Sequence, residues 1–159
     1  MNCFRVLGVS LTVVLLALML SSCKQKLEID KKAPQLAALF LDESEAKLSY
    51  QGFELVLFWE NGCKACVKTM PELDTWAKDA GIELLAINSV DEKELLENFA
   101  KEHNFAKIKI VQDKLDLSWQ RYEVQFLPAL FIIKDGLFKE KILGDRSAKY
   151  IKEKVKLYE

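Results

Sequence analysis

Short apolar runs alternate with amphipathic stretches along most of the chain. Residues 54–59 (ELVLFW) are apolar and rich in strand formers, the pattern of a strand buried on both faces. Over residues 63–80, Met70, Leu73, Trp76 and Ala77 fall on one helical face, and Gly81 stops the run. Residues 82–88 predict a second buried strand. Residues 92–103 predict an amphipathic helix, with Leu95, Leu96 and Phe99 three and four residues apart. A further strand is expected at 108–111 and a short helix at 115–122. Residues 129–133 and 137–143 read as a hairpin turning on Lys134-Asp135-Gly136, and a last helix over 147–158 buries Ile151 and Val155. Residues 34–41 and 47–50 fit either an edge strand or a short helix.

This order predicts one α/β domain: a mostly parallel central sheet, helices on both faces and a C-terminal antiparallel hairpin. There is no internal repeat and no low-complexity segment.

The N-terminus has a different pattern. Arg5 precedes an apolar stretch at 6–20 interrupted only by Gly8, Ser10 and Thr12, which reads as a secretory signal peptide. It is shorter than the roughly 18 apolar residues of a spanning helix. It ends in Leu20-Ser21-Ser22-Cys23, which resembles the lipobox of bacterial lipoproteins, where the cysteine receives a diacylglyceryl group. The expected organisation is a signal peptide at 1–22, lipidated Cys23 with a polar tether to 33, and a single domain over 34–159. Such a protein sits in the cell envelope, lipid-anchored to a bacterial membrane and facing the periplasm or the exterior. An ordinary secretory signal ending near a cysteine, or an uncleaved helix, are the other readings.

Processing of this kind changes the cysteine arithmetic. Of four cysteines, Cys3 leaves with the signal peptide and Cys23 becomes a thioether, so Cys63 and Cys66 remain as thiols. A pair so close in sequence closes too small a loop to constrain the unfolded chain, so reactivity explains it better than scaffolding. Losing Arg5 takes the basic residues from 23 to 22 against 24 acidic ones, a mature net charge of −2. No block of like charge stands out. Nucleic acid is therefore not an expected partner, and the lipid rather than a polybasic patch must hold the membrane. The lysines at 149, 152, 154 and 156 read as the solvated face of the last helix.

The focal motif, Trp59-Glu60-Asn61-Gly62-Cys63-Lys64-Ala65-Cys66, stands where a buried strand gives way to a helix. A thiol at a helix start faces unpaired backbone N–H groups and the positive end of the helix dipole, which favour thiolate over thiol. Lys64 adds a cation that tunes the same thiolate. Cys63 is the expected nucleophile, and Cys66, one turn on and pointing inward, the resolving thiol of a redox disulfide. A zinc site would need two further ligands, and His103 is the other soft candidate. Copper carriage by the two thiolates and inert buried cysteines are the remaining uses.

Phe58-Trp59, Cys63-Lys64-Ala65-Cys66, Met70-Pro71-Glu72-Leu73, and Leu127-Pro128-Ala129-Leu130-Phe131-Ile132-Ile133 followed by Asp135-Gly136 resemble the thioredoxin superfamily. Within it they resemble the TlpA/ResA-like membrane-tethered thiol-disulfide oxidoreductases, from residue 34 to the C-terminus. The resemblance implies a thioredoxin fold, a cis Pro128 against the active-site disulfide, and Pro128, Leu127 and Trp59 as substrate-positioning residues. Pro128 as a trans proline opening an edge strand is the alternative. Pro71 matches the proline that kinks the active-site helix; taken alone it could begin a second helix. No metal, nucleotide or haem cofactor is implied. The implied duty is reduction of disulfides in exported proteins, for example the haem-binding thiols of apocytochrome c, with electrons from a membrane thiol-disulfide donor. The alternatives are an envelope disulfide oxidase or isomerase and a copper-binding chaperone.

Three positions depart from the family pattern. Gly62 replaces a bulky residue before the first cysteine. Leu57 stands where thioredoxins proper bury an Asp, and Thr69 where TlpA/ResA-like reductases often carry Glu. Both usual proton-handling carboxylates are therefore missing, and Glu60 either substitutes from the loop or is simply solvated. Trp76 and Trp119 are expected in the core or partly buried, and His103 exposed near a helix end.

Overall fold

A computed structural model describes residues 27–159. The elements run β1 (Ala38–Phe40), β2 (Glu45–Ala46), β3 (Phe53–Phe58), α1 (Lys64–Lys68), α2 (Met70–Ala80), β4 (Glu83–Asn88), α3 (Lys93–His103), β5 (Ile108–Asp113), α4 (Leu117–Arg121), β6 (Ala129–Lys134), β7 (Leu137–Leu143) and α5 (Ala148–Lys156). They form a seven-stranded sheet in the order β2-β1-β5-β4-β3-β6-β7. Parallel pairing joins β3 to β4 and β4 to β5. β6 pairs with β3 antiparallel, β7 closes the hairpin, and β1 and β2 extend the far edge antiparallel.

Side chains alternate across the sheet and feed two cores. Leu55 and Leu57 of β3, Leu84 and Ala86 of β4, and Leu130 and Ile132 of β6 meet Leu73 of α2, Leu96 of α3 and Ile151 of α5. The opposite residues, Val56, Phe58, Leu85, Ile87, Phe131 and Ile133, pack with Tyr122, Val124 and the N-terminal Ala33. Full burial on both faces is why these strands read as unbroken apolar runs, each large side chain contributing about 1.5–3 kcal/mol.

The single helix expected over 63–80 is divided at Thr69, which ends α1 and begins α2. Pro71 lies in the first turn of α2, where its missing N–H costs nothing, but its ring cannot follow a preceding helical turn. Of the two open segments, 34–41 supplies β1, whereas 47–50 forms no strand or helix. Tyr50 there lies over the hairpin turn. Gly136, at φ 77°, leaves room for that ring, since a Cβ would stand 2.6 Å from Tyr50 Cδ1.

The polar tether expected over 23–33 does not run free to residue 33. Asp30 N–H donates to Phe138 C=O at 2.8 Å, Phe138 N–H to Lys31 C=O at 2.9 Å and Ala33 N–H to Gly136 C=O at 2.9 Å. These backbone bonds occupy the otherwise open edge of β7, and Lys139 Nζ–H donates to Asp30 Oδ1 across it at 2.7 Å. The signal peptide expected at 1–22 and the lipidation expected at Cys23 fall outside the described residues. Among the described residues no helix is long and apolar enough to cross a membrane.

Candidate active site

Strand β3, interior to the sheet, delivers the chain past its C-terminal end at Trp59, and α1 begins five residues later. Cys63 is the N-cap of α1 in extended conformation (φ −85°, ψ 94°), and its Sγ accepts the Cys66 N–H at 3.1 Å. The two sulfurs are joined in a disulfide with Cα atoms 5.2 Å apart. Cys63 is half-buried, whereas Cys66 is 1 % exposed within the α-helical side of the core. The two residues of the pair therefore differ in exposure, Cys63 half-buried and Cys66 enclosed. Lys64 is exposed at the first position of α1.

The antiparallel register pairs Phe58 with Ala129, so Pro128 lies at the end of the sheet where β3 passes into the cysteine loop. The Leu127–Pro128 peptide is cis, as the family resemblance implied. Pro128 C=O accepts Gly144 N–H at 2.9 Å, which holds it against the end of β7. Pro128 is buried, Leu127 half-buried, and Phe126 is 64 % exposed. Leu127 and Cys63 pack against the same core cluster. Trp59 is 1 % exposed, its ring centroid 4.4 Å from that of Phe99, and its indole Nε1–H is buried without a hydrogen-bond partner. At that burial it presents almost no surface to a docking chain.

The surroundings of Cys66 are apolar. Leu57 is 3 % exposed in the same core cluster, and Thr69 lines a small cleft with Leu57, Leu73 and Pro128. Glu60 contributes its backbone to the turn, its C=O accepting Cys63 N–H at 3.2 Å. His103 is not exposed as expected. It is half-buried between Phe99 (centroids 4.2 Å apart) and Phe105 (5.3 Å, planes 4° apart), because the chain beyond α3 folds Phe105 back over the helix end. It lines a shallow groove with Asn61, Lys64, Val67 and Lys68.

One group at the site escaped the sequence reading. Asp91, in the loop after β4, accepts Asn61 N–H at 2.8 Å and Asn88 Nδ2–H at 2.6 Å, both on Oδ2. Asn88 is fully buried, and its Oδ1 accepts the N–H groups of Val90 and Asp91 at 2.9 and 2.8 Å. The available signal was an Asn three residues before an Asp directly after a predicted strand, a pattern that turns the chain on its own side chain. No group of His, Cys, Asp and Glu side chains suited to hold a metal ion occurs among the described residues.

The thioredoxin-like family model matches residues 53–136, which contain Cys63, Cys66 and Pro128. ResA thiol-disulfide oxidoreductase of Bacillus cereus is 33 % identical over 130 residues, 78 % of this chain and 75 % of that protein. The chain belongs to the TlpA/ResA-like branch of the thioredoxin superfamily. ResA of Geobacillus kaustophilus is 35 % identical over 127 residues, 76 % of this chain and 72 % of that protein. Among solved structures, a secreted Mycobacterium tuberculosis disulfide oxidoreductase shares the fold at TM-score 0.68, with 19 % identity, 77 % of this chain and 96 % of that one covered. As a member of this branch the protein is a thiol-disulfide oxidoreductase. The Cys63–Cys66 disulfide lies at the start of α1, within the segment that the family model matches.

Proposed function

We propose that this oxidoreductase reduces disulfides of exported proteins in the bacterial cell envelope, with Cys63 as nucleophile and Cys66 as resolving thiol. The observation that supports these roles is the asymmetry of the pair: Cys63 caps α1 at the surface, and Cys66 is 1 % exposed behind it. In the reduced protein, backbone N–H groups at the helix start and Lys64 stabilise the Cys63 thiolate. It attacks one sulfur of the substrate disulfide, that S–S bond breaks, and the departing thiolate takes up a proton. Cys66 then loses its proton and attacks Cys63 Sγ. The Cys63–Cys66 disulfide forms, the substrate leaves as a dithiol, and two electrons have passed to it. A membrane thiol-disulfide donor restores the dithiol.

Leu127 and cis Pro128 offer the substrate chain its backbone contact, and exposed Phe126 adjoins them. By family resemblance the substrates include the haem-binding thiols of apocytochrome c. Lipidation of Cys23 tethers the domain to the membrane, facing the periplasm or exterior. The capped, Lys64-flanked thiolate raises the potential above the roughly −270 mV of thioredoxin, while the duty of a reductase keeps it below the roughly −120 mV of a strong oxidant. Equilibration in a glutathione or dithiothreitol buffer, with acid trapping and alkylation of the thiols in cells, tests the reading. A mostly reduced pair is expected. A mostly oxidised pair with a potential near that of strong oxidants would overturn reduction in favour of an oxidase.

A further inference from the structure

The cysteine loop has little to hold it in place. Gly62 precedes Cys63 with no atom within 4 Å of where a Cβ would stand, and the turn's own bond runs from Cys63 N–H to Glu60 C=O. Beyond the Trp59 N–H to Ile87 C=O bond at 3.1 Å, which prolongs the β3–β4 ladder, the loop is tied outward by the bond from Asn61 N–H to Asp91 Oδ2, 2.8 Å across. Asp91 is itself held. Asn88, buried at the end of β4, donates to the same Oδ2 while its Oδ1 accepts the Asp91 N–H. Gln112 Nε2–H of β5 reaches Asp91 C=O at 3.4 Å. The position of Asn61 is thus referred through two side chains to the rigid parallel centre of the sheet.

We propose that Asp91 is a positioning residue for the thiol-disulfide reaction, holding the loop so that Cys63 Sγ stays at the N-cap of α1. The physical reason is directional. Thiolate stabilisation at a helix start requires the sulfur to meet the free N–H groups, and a flexible glycine directly upstream supplies no such constraint. Pinning the N–H of Asn61, two residues before the sulfur, restores it. The inference rests on the assignment of Cys63 as nucleophile but not on the direction of electron flow.

Geometry and charge separate cleanly, because one oxygen accepts both hydrogen bonds. In D91N the amide oxygen can take both while the charge is lost. In D91A both bonds and the charge go. The reduced parent, D91A and D91N are compared for their rate with oxidised glutathione and for the pH midpoint of Cys63 alkylation by iodoacetamide. D91A is expected to react about tenfold more slowly, the usual worth of a charge-assisted hydrogen bond, with its midpoint moved upward. Removing a negative charge alone would move that midpoint downward, so the sign distinguishes positioning from bulk electrostatics. D91N is expected to recover most of the lost rate.

A D91A protein with the parent's rate, or with a lowered midpoint, overturns the proposal. If D91A does not fold, N61P deletes the donor and leaves Asn88 and Asp91 in place; slowing is again expected, and a parental rate again overturns it. A parent that exchanges no disulfide at all would instead remove the proposed roles of the cysteines, an outcome separate from these comparisons.

Discussion

The backbone N–H of Cys66 meets Cys63 Sγ at 3.1 Å, so the residue meant to resolve the mixed disulfide also supplies a donor to the sulfur that would form it. The two sulfurs nonetheless have different access, one at a half-buried cap and one inside the core. Limited alkylation of the reduced protein should label Cys63 first. C66A should accumulate mixed disulfides with its partners, and C63A should not. Equal labelling of both thiols would remove the assigned roles.

Thr69 marks a second consequence. It shares its cleft with Leu57 and Pro128, and neither Leu57 nor Thr69 offers a carboxylate to assist deprotonation of Cys66, the thiol proposed to resolve. T69E should supply one. A positioned base contributes roughly 10²–10⁴-fold in enzymes, and release of the mixed disulfide at neutral pH should accelerate by about tenfold or more. Single-turnover kinetics with a trapped mixed disulfide measure it. An unchanged release rate means that proton removal does not limit the step.

Asp74 of α2 accepts the N–H groups of Ala106 (2.9 Å), Lys107 (2.7 Å) and Ile108 (2.8 Å), fastening the helix to the start of β5. Partial burial pushes its carboxyl up, but those three N–H groups and the Lys78 charge outweigh this and hold it below the ordinary value. A carboxylate depressed in the folded state adds stability that is complete above its unfolded value, roughly 3.9, and fades as pH falls through the folded value. D74A should therefore cost about 1 kcal/mol at pH 7, the low end for a part-exposed acceptor, and less at pH 3. Urea melts at both pH values decide. An equal cost at pH 7 and pH 3 would show that the charge plays no part.

Cys23 carries the membrane prediction. C23A should appear in the soluble fraction or remain as an unprocessed precursor, whereas the parent should fractionate with membranes. A variant that matures and fractionates like the parent would refute lipidation.

What the chain declares by itself follows from local rules. Apolar runs at 54–59, 82–88 and 129–133 name the buried strands because a strand covered on both faces is apolar through its middle, with Glu54 and Asn88 buried only at the ends of β3 and β4, and they agree with β3, β4 and β6 to within a residue at either end. The reactive pair is legible because a cysteine at a strand-to-helix junction has its environment set by the adjacent backbone, and Leu57 and Thr69 are legible as missing carboxylates because absence needs no partner. Tertiary structure decided what depends on distant partners. It closed residues 30–33 onto β7 through backbone bonds, and it enclosed His103 between two phenylalanines. It also brought Asp91 to the N–H of Asn61, thirty residues upstream. Backbone pairing leaves no mark in side-chain polarity, and a carboxylate in a loop looks solvated until the sheet places a donor against it. Pro128 lies between these cases: its place before a strand is local, but its position at the end of β3 exists only through the antiparallel pairing of Phe58 with Ala129.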